Sequence, residues 1–317
     1  MSDPDVAVLR QKIHGLPVER YVEQLRQRLP DRTVALARTP AEEAELVARA
    51  EVVSGFTLDA DLVESAANLR LFACAFAGTG HLPLSAFEAA DVAVTNASGV
   101  HGPNIAEYVV GGILSFAQGF PRAWRQQDRR EWRAFGAGEF AGSTVTVVGM
   151  GAIGRATAER LAPFGVDTLA VRHSPEKGPP EGVDEVFGYD EVHEPVSRSE
   201  YVVLACPLTE TTEGLVDADL LLSLSAEGVL VNVARGPVVD TDALVGALRS
   251  NDLRGAVLDV TDPEPLPEDH PLWGFDNALI TPHNAGHTPR YYERLADIVA
   301  DNVDRLARGE EIRNRVI

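Results

Sequence analysis

Thr144-Val145-Thr146-Val147-Val148-Gly149-Met150-Gly151-Ala152-Ile153-Gly154 is the stretch on which the fold turns. Its first five residues are all β-branched, the pattern of a strand buried on both faces of a parallel sheet. Three glycines follow in the order G-x-G-x-x-G, and helical spacing then runs from Ile153 to Leu161. Each glycine answers a separate steric demand. Gly149 permits a tight turn, Gly151 lets backbone approach a pyrophosphate, and Gly154 lets the helix pack close to the strand. The helix start at Ala152 and Ile153 offers free N–H groups and a partial positive charge to phosphate oxygens. Three glycines alone are a weak signal, equally compatible with an empty turn. Between a clear strand and a clear helix they point to a dinucleotide site.

The next strand, Thr168 to Val171, sets the cofactor expectation. A site for NAD(H) usually carries Asp or Glu at this strand end, about 20 residues on, to accept from the ribose hydroxyls. Here Arg172 stands 18 residues after Gly154 and is followed by His173 and Ser174. A guanidinium cannot accept those bonds but clamps a 2'-phosphate. The expectation is NADP(H) preferred, with NAD(H) possible; the competing reading is a solvated arginine with dual preference.

Outward from this stretch, strands and helices alternate. On the N-terminal side, strands are expected at Val6 to Leu9, Thr33 to Ala37, Val52 to Ser54, Leu71 to Phe76 and Val92 to Thr95, with helices at Val18 to Leu29 and Ala41 to Ala50. A long helix is expected over Ile105 to Arg130, apolar nearly all round at first and highly charged from Arg122 onward. On the C-terminal side, strands are expected at Tyr201 to Ala205, Val229 to Val233, Gly255 to Val260 and Ala278 to Thr281. Helices are expected at Asp217 to Leu224, Asp240 to Ser250 and Arg290 to Arg308. Ser174 to Gly188, rich in Pro and Gly, reads as loop. The alternation implies parallel sheets covered by helices.

Composition narrows the function classes. The 317 residues carry 48 acids against 28 bases, a formal net charge of -20. Such a surface repels nucleic acid and anionic membranes. Only Lys12 and Lys177 are lysines, so a salt-rich habitat and an arginine-favouring genome both account for the balance. No basic n-region with an apolar stretch opens the chain, and Tyr108 to Ala117 is too short to cross a bilayer. A cytoplasmic protein is expected. Cys74 and Cys206 sit in apolar runs, as buried thiols do.

The C-terminal half places chemistry at expected strand ends, where open α/β sheets bind ligands. Asn232-Val233-Ala234-Arg235-Gly236-Pro237 sets an arginine directly after an apolar strand. Leu258-Asp259-Val260-Thr261-Asp262-Pro263-Glu264-Pro265-Leu266 runs from strand into loop, as does Leu279-Ile280-Thr281-Pro282-His283-Asn284-Ala285-Gly286. Hydride transfer to a 2-oxo acid needs a cation for the carboxylate, a donor for the ketone and an acid for the proton. Singly, Arg235 suits a surface ion pair, Glu264 a solvated loop and His283 a cap or a core histidine. Together with the glycine loop they suit catalysis. His283 and His287 form H-x-x-x-H, but the segment is not a clear helix and lacks a third ligand at zinc-like spacing, so no metal is expected.

With these motifs in order, the chain resembles the D-isomer-specific 2-hydroxyacid dehydrogenase family from about Thr144 to Gly286. The glycine loop, Cys206-Pro207-Leu208-Thr209 with Thr212, the N-V-A-R-G segment, the L-D-V-x-x-x-E-P-L segment and the T-P-H segment carry the resemblance. Trp132 and the tail Arg313-Asn314-Arg315-Val316 fit it as well. It implies that Arg235 binds the substrate's carboxylate and carbonyl oxygens, that His283 donates or accepts the proton, and that Glu264 pairs with His283 and favours its protonated form. It implies that Asp259 touches the nicotinamide carboxamide, that Cys206, Pro207, Thr212 and Ala234 belong to the cofactor site, and that Ala77, Gly78 and Thr79 offer backbone N–H groups to the carboxylate. Many relatives carry Asp two residues after that first glycine, where this chain has Gly80.

The family's arrangement implies a Rossmann, doubly wound parallel-sheet cofactor domain, residues 99–285. It is inserted into a smaller flavodoxin-like α/β substrate domain, residues 1–98 and 286–317, with the ligands in the cleft between. The region of the long helix resembles the family's dimer-forming part, so a homodimer is expected. A specialised phosphoglycerate or glyoxylate/hydroxypyruvate reductase, and a dinucleotide-sensing co-regulator, are the alternatives. His81 and His101 fall near strand-end loops without an assigned role.

Overall fold

The computed structural model describes residues 3–13 and 15–317. Met1–His101 with His287–Ile317 form one compact unit and Gly102–Gly286 the other, so the divisions fall at 101/102 and 286/287. The sequence draws them at 98/99 and 285/286.

The first unit runs β1 (Val6–Val8), α1 (Val18–Arg28), β2 (Val34–Leu36), α2 (Pro40–Val47), β3 (Val52–Gly55), α3 (Ala60–Ser65), β4 (Leu71–Cys74), α4 (Leu84–Ala89) and β5 (Ala93–Thr95). All pairings are parallel, in the order β2-β1-β3-β4-β5. This is the flavodoxin-like order. Strands this short are held because both faces are covered: β1, β3 and β4 are buried at every position. The sequence does not show α3 and α4, which are six residues each and too short for a helical period to stand out.

The second unit opens with α5 (Gly102–Ala117) and α6 (Phe120–Asp128) in place of the single expected helix. Gly119 takes a left-handed φ of 69° between them, which breaks the hydrogen-bond ladder, and Pro121 opens the next helix. A Cβ on Gly119 would stand 2.8 Å from Phe135, so the turn also needs the space. There follow β6 (Thr144–Val148), α7 (Ala152–Leu161), β7 (Asp167–Val171), β8 (Glu185–Phe187), α8 (His193–Ser197), β9 (Tyr201–Leu204), α9 (Ala218–Ser223), β10 (Val229–Asn232), α10 (Thr241–Ser250), β11 (Gly255–Leu258) and β12 (Ala278–Ile280). The seven strands are parallel in the order β12-β11-β10-β9-β6-β7-β8. Strand order reverses between β6 and β9, the crevice where such sheets bind dinucleotides. Strand β8 corrects the loop expected over Ser174 to Gly188. It is a three-residue edge strand, paired to β7 alone, in a tract whose prolines and glycines hide it.

α11 (Tyr291–Arg308) returns to the first unit. Its inner face, with Tyr291, Tyr292, Leu295, Ile298, Val299 and Val303, is buried in that unit's core beside α1. Each Leu, Ile or Val so covered contributes roughly 1.5–3 kcal/mol. The buried Asn302 accepts from the Arg313 N–H at 2.7 Å and donates to the Arg313 carbonyl at 3.0 Å. The tail is thereby turned back along β5, where Val316 N–H bonds to the Val94 carbonyl at 2.7 Å. That contact covers an otherwise open sheet edge. Among the described residues no helix is long and apolar enough to cross a membrane.

Candidate active site

The glycine turn follows β6 as its geometry demands. Gly149 has φ 99°, and a Cβ there would lie 2.5 Å from the Cys206 amide nitrogen, so β6 and β9 meet at their ends only because this position is glycine. A Cβ on Gly154 would lie 1.9 Å from the Gly149 carbonyl oxygen. Gly151, in contrast, faces nothing within 4 Å and caps α7 at its N-terminus, ahead of Ala152 and Ile153. Open backbone and a helix start therefore face one crevice.

That crevice is a cleft of about 470 Å³. Gly149, Gly151, Arg172, His173, Ser174, Pro207 and Thr212 line it, together with Met150, Tyr189, Ala205, Thr209 and Thr211, which the motifs do not single out. Tyr189 stands two residues after β8, so its signal is lost with that strand. Arg172 lines the cleft and has no carboxylate within 4 Å among the described residues. Thr212 is buried. Its hydroxyl donates to the Pro207 carbonyl at 2.6 Å and accepts from the Thr209 N–H at 2.9 Å, bracing the loop at the cleft's edge. Cys206 lies behind the wall, 3% exposed, and burial pushes its thiol up to about 11. Open backbone at a helix start, an unpaired arginine beyond the neighbouring strand and a cleft of this size together fit a dinucleotide.

The strand ends further along the sheet carry the other group. Arg235 follows β10. Asn232 shapes its turn: the side-chain oxygen accepts from the Ala234 N–H at 3.0 Å and the side-chain nitrogen donates to the Arg235 carbonyl at 3.1 Å. Ala234 is buried, and its carbonyl accepts from the Arg235 guanidinium at 2.6 Å. Arg235 itself is exposed and has no carboxylate partner among the described residues. Gly236 packs so closely that a Cβ would stand 2.0 Å from the Thr261 carbonyl oxygen, which fixes the turn against the loop after β11.

That loop brings Glu264 to His283, beyond β12, with Oε1 2.6 Å from Nδ1. Both side chains are partly exposed, and Nε2 has no hydrogen-bond partner among the described residues. A carboxylate accepts only, so Nδ1 carries the proton toward Glu264 and Nε2 is left for a ligand. His283 has φ 51°, a left-handed conformation that costs of order 1 kcal/mol or more for a non-glycine residue. Asp259 compensates. Its carboxylate, 3% exposed, accepts from Thr281 Oγ1 at 2.6 Å, the Asn284 N–H at 2.7 Å and the Ala285 N–H at 3.0 Å, and the His283 N–H bonds to its carbonyl at 2.8 Å. Asp259 thus organises the turn that carries His283. Motif reading includes Thr281 and Asn284 in the His283 segment without giving either a role, and it misses Tyr108, which looks like helix core.

In the first unit, Ala77, Gly78 and Thr79 follow β4. Asn96 donates to the Ala77 carbonyl at 2.8 Å, and the N–H groups of residues 77–80 meet no acceptor among the described residues. His81 stacks on Phe56, ring centroids 4.2 Å apart, and its Nε2 lies 2.8 Å from the Phe56 carbonyl. His101 packs near Tyr291. Among the described residues no group of three or more His, Cys, Asp or Glu is placed to hold a metal ion.

Comparison with known proteins agrees with this geometry. The family model for the NAD binding domain of D-isomer specific 2-hydroxyacid dehydrogenases matches residues 110–285. A glyoxylate reductase of Thermofilum pendens is 34% identical over 259 residues, covering 80% of this chain and 76% of its own. The crystal structure of a D-isomer specific 2-hydroxyacid dehydrogenase from Xanthobacter autotrophicus Py2, in complex with NADPH and MES, matches with a TM-score of 0.80 at 30% identity. It covers 99% of this chain and 98% of that one. An NAD-dependent formate dehydrogenase from Staphylococcus aureus, in complex with NAD, matches with a TM-score of 0.70 at 27% identity over 98% of each chain. The chain belongs to the D-isomer specific 2-hydroxyacid dehydrogenase family, NAD(P)-dependent oxidoreductases.

Proposed function

We propose that this protein reduces a small 2-oxo acid to the D-2-hydroxy acid, and catalyses the reverse, with NADP(H) preferred over NAD(H). The observation that carries the reading is the 2.6 Å contact of Glu264 with His283 Nδ1, which leaves Nε2 open, on the sheet end where Arg235 stands without an acidic partner. When bound, the dinucleotide supplies the hydride for the 2-carbon. Arg235 holds the carboxylate and polarises the carbonyl oxygen, stabilising the charge that grows there. Nε2 of His283 delivers the proton to that oxygen, while Glu264 holds the ring in the required tautomer and stabilises the imidazolium. In oxidation the same nitrogen takes the proton back. In the first unit, the free N–H groups of Ala77, Gly78 and Thr79 suit a carboxylate.

Preference for NADP(H) rests on Arg172, with Ser174 and His173 beside it in the cleft and no acidic side chain at this strand end. The Xanthobacter relative's NADPH supports it, and the Staphylococcus relative's NAD is the reason to measure it. We also propose a homodimer formed through α6 and the segment after it. Phe120, Trp124 and Trp132 are exposed there, amid Arg122, Arg125, Arg129, Arg130 and Arg133 in a chain of net charge -20. A basic, aromatic arm on an acidic molecule complements a second copy.

The test is oxidation of NADPH and NADH over 2-oxo acids from glyoxylate and pyruvate to branched and aromatic ones. Turnover with kcat/KM at least about tenfold higher for NADPH is expected. Tight dinucleotide binding without turnover of any acid would favour the sensor reading instead.

A further inference from the structure

We propose that Tyr108, on α5, is a positioning residue for His283, acting through Thr281 and Asp259. The proposal rests on the reading of His283 as the proton carrier. The direction of the chain of bonds follows from chemistry. Asp259 is a buried acceptor, so the one hydroxyl proton of Thr281 goes to Asp259 Oδ1 at 2.6 Å. Thr281 Oγ1 then accepts, and the Tyr108 hydroxyl, 2.6 Å away, donates to it. Burial holds the Tyr108 phenol up to about 12, so it stays a donor through any ordinary assay pH.

The other side of Asp259 completes the clamp. Its carboxylate accepts from the N–H groups of Asn284 and Ala285, directly after His283. Asn104, one helical turn before Tyr108 and on the same face of α5, donates to the Ala285 carbonyl at 2.5 Å. One helix face therefore grips the turn before and after His283, whose left-handed φ of 51° would otherwise relax. Relaxation would move Nε2 off its line to the substrate while leaving the dinucleotide cleft intact.

Four variants test this: Tyr108→Phe, Thr281→Val, Thr281→Ser and the double Tyr108→Phe/Thr281→Val. Loss of one such bond predicts a kcat lowered roughly 5- to 10-fold in Tyr108→Phe, with KM for the 2-oxo acid changed by less than about twofold. Thr281→Val falls at least as far, Thr281→Ser recovers, and the double variant is no slower than Thr281→Val, because both changes cut one chain. A Tyr108→Phe enzyme with wild-type kcat, or losses that multiply in the double variant, would overturn the proposal. Amide hydrogen exchange at Asn284 and Ala285 gives a second readout that needs no turnover. Faster exchange in Tyr108→Phe is expected, and unchanged exchange would overturn the clamp. If the wild type reduces no 2-oxo acid, the reading of His283 fails by itself, and the exchange experiment still decides whether Tyr108 orders the turn.

Discussion

Arg172 and Arg235 are the residues whose surroundings say most. Acids outnumber bases by 48 to 28 in this chain, and exposed arginines such as Arg198 and Arg290 pair with a carboxylate. An arginine at a strand end without a carboxylate partner keeps its donors open to an anionic ligand. For Arg172 the proposed anion is the 2'-phosphate, through a charged hydrogen bond of about 1.5–3 kcal/mol. Arg172→Ala is therefore expected to lower kcat/KM for NADPH roughly 10- to 100-fold and to leave NADH within about threefold. Steady-state kinetics with both cofactors checks it; equal losses for the two would refute the assignment. The motifs made these positions legible because chemistry restricts them to few residue types. Gly149 and Gly154 were legible for the same reason, since no Cβ fits at either place. Tyr108 and the role of Thr281 were not, because a tyrosine in an apolar helix is ordinary, and the threonine of T-P-H has no stated task, until the hydrogen bond between them is seen.

Among the elements, those with long or doubly covered apolar patterns are where the sequence puts them, and those decided by a local detail are not. α11 and β6 declare themselves by period and by β-branching. The helix expected over 105–130 divides because Gly119 adopts a left-handed conformation with Phe135 packed on it, a contact 16 residues away along the chain. β8 escapes because three residues amid prolines and glycines carry no period, and only pairing with β7 makes them a strand. The division at Gly119 sets α6 apart as an element with no buried residue. The exposed Trp124 on α6 and Trp132 just after it, with the neighbouring arginines, are the basis of the proposed dimer, so the test belongs here. Light scattering on size-exclusion peaks is expected to give a dimer for the wild type and a monomer for Trp124→Glu/Trp132→Glu, with the far-ultraviolet spectrum unchanged. A monomeric wild type, or a variant that stays dimeric, would contradict the proposal.

At the largest scale, two parallel sheets each carry candidate site loops at the carboxyl ends of their strands. In the first unit these are residues 77–80 after β4. In the second they are the glycine turn after β6, Cys206-Pro207 after β9, Arg235 after β10, Asp259 to Glu264 after β11 and His283 after β12. The fold class was legible because five β-branched residues followed by three spaced glycines have few other solutions. The pairing of Glu264 with His283 was legible only through the family resemblance, since the two are 19 residues apart and nothing in the spacing fixes a 2.6 Å contact. In the proposed mechanism this pair moves the proton that accompanies hydride. Its most direct test is NADPH oxidation by wild type and His283→Ala on the best 2-oxo acid, with dinucleotide binding followed by nicotinamide fluorescence. A kcat lowered by about 10²- to 10⁴-fold with NADPH affinity unchanged is expected. A His283→Ala protein that turns over at the wild-type rate would contradict it.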